Sequence, residues 1–154
     1  MIKKKDTDLN IINPKDNLNL FGYREYFLQF SKLFEKKKLP QSVILSGLKG
    51  SGKSTFFYHF INYIFSKDDN KKYDLNKYEI NPSNKDYNLI QNSVHPNFFL
   101  LEGDPLGENI KIENVRELLR FLSKSTYKNN LKFILIDNAE FLNLNSSNAL
   151  LKNL

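Results

Sequence analysis

Eight consecutive residues restrict this chain more than any other feature: Gly47-Leu48-Lys49-Gly50-Ser51-Gly52-Lys53-Ser54. They satisfy the pattern G-x-x-x-x-G-K-[ST] in full. In a chain of 154 residues that pattern arises by chance on the order of once in two hundred at average residue usage. It also demands a particular setting, a strand before it and a helix after it. Glycines let the backbone wrap a phosphate closely with several N–H groups pointing inward. The helix that follows adds the partial positive charge of its N-terminus. Both flanks fit. Val43, Ile44 and Leu45 form a short apolar run that reads as a buried strand. From Lys53 a helix is predicted to about Phe65, with Phe56, Phe57, Phe60, Ile61 and Ile64 on its buried face.

A second element matches the first. Phe133-Ile134-Leu135-Ile136-Asp137 is an apolar strand ending in a carboxylate, the Walker B pattern, in which the Asp reaches Mg²⁺ through water. The expected site is therefore Gly47, Gly50, Ser51, Gly52, Lys53, Ser54 and Thr55 together with Asp137. Lys53 would reach the β- and γ-phosphates of ATP, and Ser54 and Asp137 would hold Mg²⁺. Hydrolysing ATPases of this kind usually carry Glu directly after that Asp, to polarise the attacking water. Here the position is Asn138, and the next acid, Glu140, lies three residues on. The sequence supports ATP binding better than ATP hydrolysis, and it names no confident catalytic residue.

The rest of the chain reads as one α/β domain with a parallel sheet. Residues 1–19 are a polar lead-in. A helix is predicted from near Tyr23, with Tyr26, Phe27, Phe30, Leu33 and Phe34 on one face and Pro40 as a stop signal. Residues 66–93, rich in Ser, Asn, Asp, Lys and Tyr, read as a polar excursion with little to bury. A strand is expected over 97–102 and a loop at 103–107. A helix is expected over 112–125, with Val115, Leu118, Leu119 and Leu122 inward and Arg116, Arg120 and Lys124 outward. A further strand is expected over 131–137. The last helix opens after Asn143, a good N-cap, and turns Ser146, Ala149, Leu150 and Leu154 inward.

Composition narrows the setting. The absence of Cys excludes disulfides and thiolate zinc sites and fits a reducing cytoplasm. His59 and His95 stand too far apart in the sequence to suggest a metal pair. The N-terminus has no apolar stretch of a secretory signal, and no run is long enough to span a membrane. A soluble cytoplasmic protein is expected. The net charge of +6 reads most simply as solvated surface, and more sharply as affinity for a polyanion.

The run Asp137-Asn138-Ala139-Glu140-Phe141-Leu142-Asn143, followed by Ser146-Ser147-Asn148-Ala149-Leu150-Leu151-Lys152, resembles the Walker B segment and following helix of bacterial clamp loaders. Those are AAA+ subunits of the DNA polymerase III holoenzyme. Leu20-Phe21-Gly22 resembles the family's opening segment, whose backbone lies near the adenine, and Leu39-Pro40-Gln41-Ser42 its lead-in to the first strand. Val94-His95-Pro96-Asn97 and the stretch from Ile110 to Leu118 are similar to the delta' type. So is Asn138, where the motor subunits have Glu; the four-cysteine zinc module that those subunits and some delta' chains carry after the phosphate-loop helix is also missing here.

The resemblance covers residues 20–154. It implies an AAA+ P-loop domain with ATP and Mg²⁺ as cofactors and no zinc. It also implies partnership with other clamp-loader subunits and, through the complex, with the sliding clamp and primed DNA. Arg116, Arg120 and Lys124 would face DNA phosphates there, although a solvated helix face is the simpler reading. The implied sheet has five strands in the order 5-1-4-3-2, and this chain offers strands 1 to 3, so a longer gene product is expected. Two rival readings stand beside it. A small P-loop phosphotransferase would pair residues 42–46 directly with 133–137. An assembly scaffold would carry a vestigial phosphate loop.

Overall fold

The computed structural model describes residues 12–103, 109–126 and 131–152. Most of the N-terminal lead-in, the 104–107 part of the predicted loop and Leu154 lie outside the described residues. The elements run α1 (Arg24–Glu35), α2 (Lys53–Phe65), α3 (Lys85–Gln91), β1 (Phe98–Glu102), α4 (Ile112–Ser123), β2 (Phe133–Asp137) and α5 (Leu144–Leu151). Single 3₁₀ turns occupy Pro14–Asp16 and Ala139–Phe141.

β1 and β2 pair in parallel, Phe98 opposite Phe133 and Glu102 opposite Asp137. Parallel neighbours need a crossover, and α4 supplies it. The alternation of a strand's side chains then builds two cores. Phe98, Leu100, Phe133 and Leu135 face Ile61, Phe65 and Tyr58 of α2 and Ile90 of α3. Phe99, Leu101, Ile134 and Ile136 face Val115 and Leu118 of α4 and Leu150 of α5. Helices thus cover both faces, which explains why both strands read as unbroken apolar runs.

α2 is the centre of the molecule. Its residues 58–65 are buried all round, well beyond the one face expected. On the side away from the sheet its aromatics meet Phe27 of α1, which is fully buried. Phe27 stacks on Tyr73 at 5.2 Å between ring centroids and meets Phe56, Phe60, Tyr63 and Tyr78 edge-on. Tyr26, predicted to share that face, is 60% exposed. It sits one residue before Phe27, about 100° round the helix, and the narrow contact with α2 leaves it in solvent.

The segment 66–93 departs most from expectation. It buries Tyr73, Tyr78, Ile80, Tyr87 and Ile90. Its many polar residues build the turns that hold those side chains in place. Asp74 Oδ1 accepts from the backbone of Asn76 and Lys77, Ser66 Oγ from Tyr73 N, and Asn84 caps α3 by accepting from Tyr87 N. Its backbone also pairs with residues 18–20, through Leu20 N to Tyr78 O at 3.0 Å and Ile80 N to Leu18 O at 2.9 Å.

Residues 42–46 do not form the predicted strand. They share no ladder with β1 or β2. Val43 and Ile44 are 43% and 91% exposed, and Leu45 alone packs inward. A strand exists only through its hydrogen-bonded neighbours. In the five-stranded order that the resemblance implies, neither β1 nor β2 is this segment's neighbour, which accords with the missing ladder. The direct pairing with 133–137 that a small phosphotransferase requires is not present. β1 and β2 are shorter than predicted by one and two residues at their starts. α5 begins where expected, with Asn143 Oδ1 accepting from Ser146 N at 2.9 Å.

Candidate functional site

The phosphate loop turns between residue 46 and the first residue of α2. Gly50 and Gly52 have φ of +77° and +88°, values that only glycine adopts without strain. Gly52 is also the N-cap of α2, and a Cβ there would lie 3.4 Å from Cε2 of Tyr23. The helix start carries no side-chain cap and no acidic residue in its first turn. Its free N–H groups and positive dipole end are therefore left for an anion.

Lys53 folds its ammonium back over the loop and donates to Gly47 O at 3.0 Å and Leu48 O at 2.8 Å. The charge thus sits at the loop's mouth. Ser54, the next residue, donates its hydroxyl to Asp137 Oδ2 at 2.9 Å. That bond joins residues 83 apart in sequence and brings the phosphate loop to the end of β2. Asp137 Oδ1 accepts from the backbone N–H of Asn138 at 3.0 Å, which fixes the carboxylate's orientation. Thr55 follows Ser54 in the same helical turn, half-buried. Gly47, Gly50, Ser51, Gly52, Lys53, Ser54 and Asp137 therefore gather in one place. A hydroxyl and a carboxylate converging within 3 Å are hard oxygen donors of the kind Mg²⁺ takes alongside water and phosphate. The residues fit a magnesium-bound polyphosphate.

Tyr58, one turn along α2 from Ser54, is a neutral phenol. Burial pushes its pKa well above the ordinary tyrosine value, and the Glu102 and Asp137 carboxylates add to the effect. Asn138 adopts the left-handed conformation, φ 54° and ψ 55°, which asparagine tolerates better than most residues. It is exposed, as is Glu140 in the 3₁₀ turn that follows. Sequence reasoning missed Tyr23. Its hydroxyl donates to Ser51 O at 2.8 Å, and its ring lies 5.5 Å from that of Phe56. No sequence pattern marks a tyrosine 28 residues ahead of a loop as its neighbour. Arg116 and Arg120 on α4 and Lys124 at its C-cap are exposed, with Arg116 3.9 Å from Glu113 on the same helix.

Residues 22–154 match the family described as DNA polymerase III, delta subunit. The chain belongs to that family. A curated relative, DNA polymerase III subunit delta' of Pseudomonas aeruginosa, is 35% identical over 66 residues. The match takes in 43% of this chain and 20% of the relative, so it spans a fifth of that protein's length. Family membership accords with the fold. Two adjacent parallel strands with a phosphate-loop helix on one face and α4 and α5 on the other are what strands 2 and 3 of an AAA+ P-loop sheet present. Among the described residues no helix is long and apolar enough to cross a membrane.

Proposed function

We propose that this chain is the nucleotide-binding part of a delta'-type clamp-loader subunit, which takes ATP with Mg²⁺ and retains it without hydrolysis. The observation that carries the reading is the Ser54–Asp137 hydrogen bond beside the phosphate loop. It joins two motifs that only a polyphosphate-binding site uses together.

Each residue then has a task. The loop N–H groups and the start of α2 bind the phosphate oxygens. Lys53 turns its ammonium from Gly47 O and Leu48 O toward the outer phosphates, exchanging two neutral acceptors for charged ones. Ser54 and Asp137 hold the metal, which supplies charge neutralisation when bound. Retention without turnover is supported by residue 138. An Asn amide cannot accept the proton of an attacking water as a carboxylate does. In the holoenzyme such a subunit would sit among other clamp-loader subunits and help place the sliding clamp on primed DNA. The family match and the delta' relative support that role.

The test is magnesium dependence. Titrating the intact protein with a fluorescent ATP analogue should give tighter binding with Mg²⁺ than with a chelator. Asp137→Asn should remove most of that difference, about tenfold in apparent metal affinity. Equal affinities with and without Mg²⁺, or no difference between wild type and Asp137→Asn, would count against the site as described.

A further inference from the structure

We propose that Tyr23 is a positioning residue of the phosphate loop, holding the Ser51–Gly52 peptide so that the Gly52 N–H faces the β-phosphate of a bound nucleoside di- or triphosphate. The inference rests on the nucleotide-binding reading above and assigns a task to a residue outside the loop motif.

Three contacts carry it. The Tyr23 hydroxyl donates to Ser51 O at 2.8 Å and lies 3.5 Å from Ser51 Oγ. Among the described residues no peptide bond is cis, and in a trans peptide the C=O and the next N–H point in opposite directions. Fastening the Ser51 carbonyl toward Tyr23 therefore aims the Gly52 N–H away from the tyrosine, free to meet a bound phosphate. Next, the ring edge fills the space beside Gly52, where an added Cβ would stand 3.4 Å from Tyr23 Cε2. That distance is ordinary van der Waals contact, so the ring backs the peptide without a clash, while the φ of +88° is what reserves position 52 for glycine. Finally, the ring packs on Phe56 at 5.5 Å, one turn into α2. Loop and helix start are thus referenced to one side chain.

Tyr23 is itself anchored. It is the N-cap of α1, and its carbonyl accepts from Phe27 N at 2.9 Å. Phe27 is the fully buried hub described above. The hydroxyl is consequently held at a fixed point relative to the core. A peptide aimed in advance binds an anion without first having to be ordered, so the benefit falls on affinity. An N–H directed at the β-phosphate serves ADP, ATP and pyrophosphate alike.

The experiment compares wild type, Tyr23→Phe and Lys53→Ala in the intact protein. It measures affinity for ATP, ADP and pyrophosphate, and the melting temperature without ligand. Tyr23→Phe keeps the ring and removes the hydroxyl. It should weaken all three ligands by a similar factor, roughly 3- to 10-fold, with the ligand-free melting temperature unchanged. Several outcomes overturn the proposal: undiminished affinity in Tyr23→Phe, a loss confined to ATP and ADP with pyrophosphate unaffected, or a loss that follows a lowered ligand-free melting temperature. If Lys53→Ala loses binding while Tyr23→Phe does not, the proposal fails and the nucleotide-binding reading survives. If wild type binds none of the three ligands, both fail.

Discussion

Replacing Phe27 with alanine should destabilise the fold by about 3–5 kcal/mol. Phe27 has no exposed surface, and five aromatic rings stand around it, from α1's neighbour α2 and from the 66–93 segment. Deletion removes the transfer energy of a phenyl ring. It also leaves a cavity whose walls are held by separate elements and cannot close in together. Each lost aromatic pair adds about 0.5–1.5 kcal/mol at most, and these terms overlap, so they do not simply sum. Denaturant unfolding of the intact protein measures the effect as a lower midpoint at unchanged slope. Phe27→Leu should recover more than half of the loss. A change below about 1 kcal/mol for Phe27→Ala would mean that the cluster is far looser than the structure has it.

The second large effect is a pH dependence centred on His59. This histidine is fully buried, with Nε2 3.0 Å from Asn17 O and Nδ1 2.9 Å from the Tyr73 hydroxyl. A carbonyl only accepts, so Nε2 carries the proton and Nδ1 accepts from Tyr73. Burial lowers the pKa from 6.5 to about 4, and the bond to Asn17 offsets this only in part. Between those two values the unfolded chain binds a proton that the folded one does not. Stability is therefore complete above pH 6.5 and falls as the pH drops toward 4, where the loss levels off. The gap corresponds to about 3 kcal/mol. His59→Gln retains a donor and an acceptor but does not titrate, so the difference in stability between wild type and variant should change across that window. The carboxylates titrate in both proteins and cancel. Parallel stability curves from pH 7 to 4 would contradict this account.

The same residues show what the sequence could reveal. The bounds of α2, Lys53–Phe65, were predictable because a phosphate loop dictates where its helix starts. The start of α5 was predictable because Asn143 can cap a helix using only residues next to it in sequence. Local rules suffice where the partner is local. β1 and β2 were legible as short apolar runs, as were the two motifs that supply Lys53, Ser54 and Asp137.

The failures all involve distant partners. Residues 42–46 have the composition of a strand, but a ladder depends on neighbours that composition does not name. The tyrosines of 66–93 read as polar turn residues because their periodicity is broken by the turns themselves. Tyr73 and Tyr78 are buried through Phe27, more than 40 positions earlier in the chain. His59 was read only as too far from His95 to suggest a metal pair, and its burial depends on Asn17 and Tyr73. Tyr23 looked like a helix start, and its bond to Ser51 O depends on how α1 lies against α2. In each case the information sits in tertiary packing, which overrides local preference.

Nucleotide binding by the phosphate loop is tested most directly by one comparison: the affinity of the intact wild-type protein and of Lys53→Ala for ATP at fixed Mg²⁺. Lys53 lies at the loop's mouth with its two hydrogen bonds on loop carbonyls. Its removal should cost the charge-assisted contacts to the phosphates while leaving the buried core untouched. The predicted result is measurable binding by wild type and a loss of roughly 10- to 100-fold in the variant, at an unchanged ligand-free melting temperature. Equal affinity in the two proteins, or no binding by wild type, would contradict it and favour a scaffold with a vestigial loop.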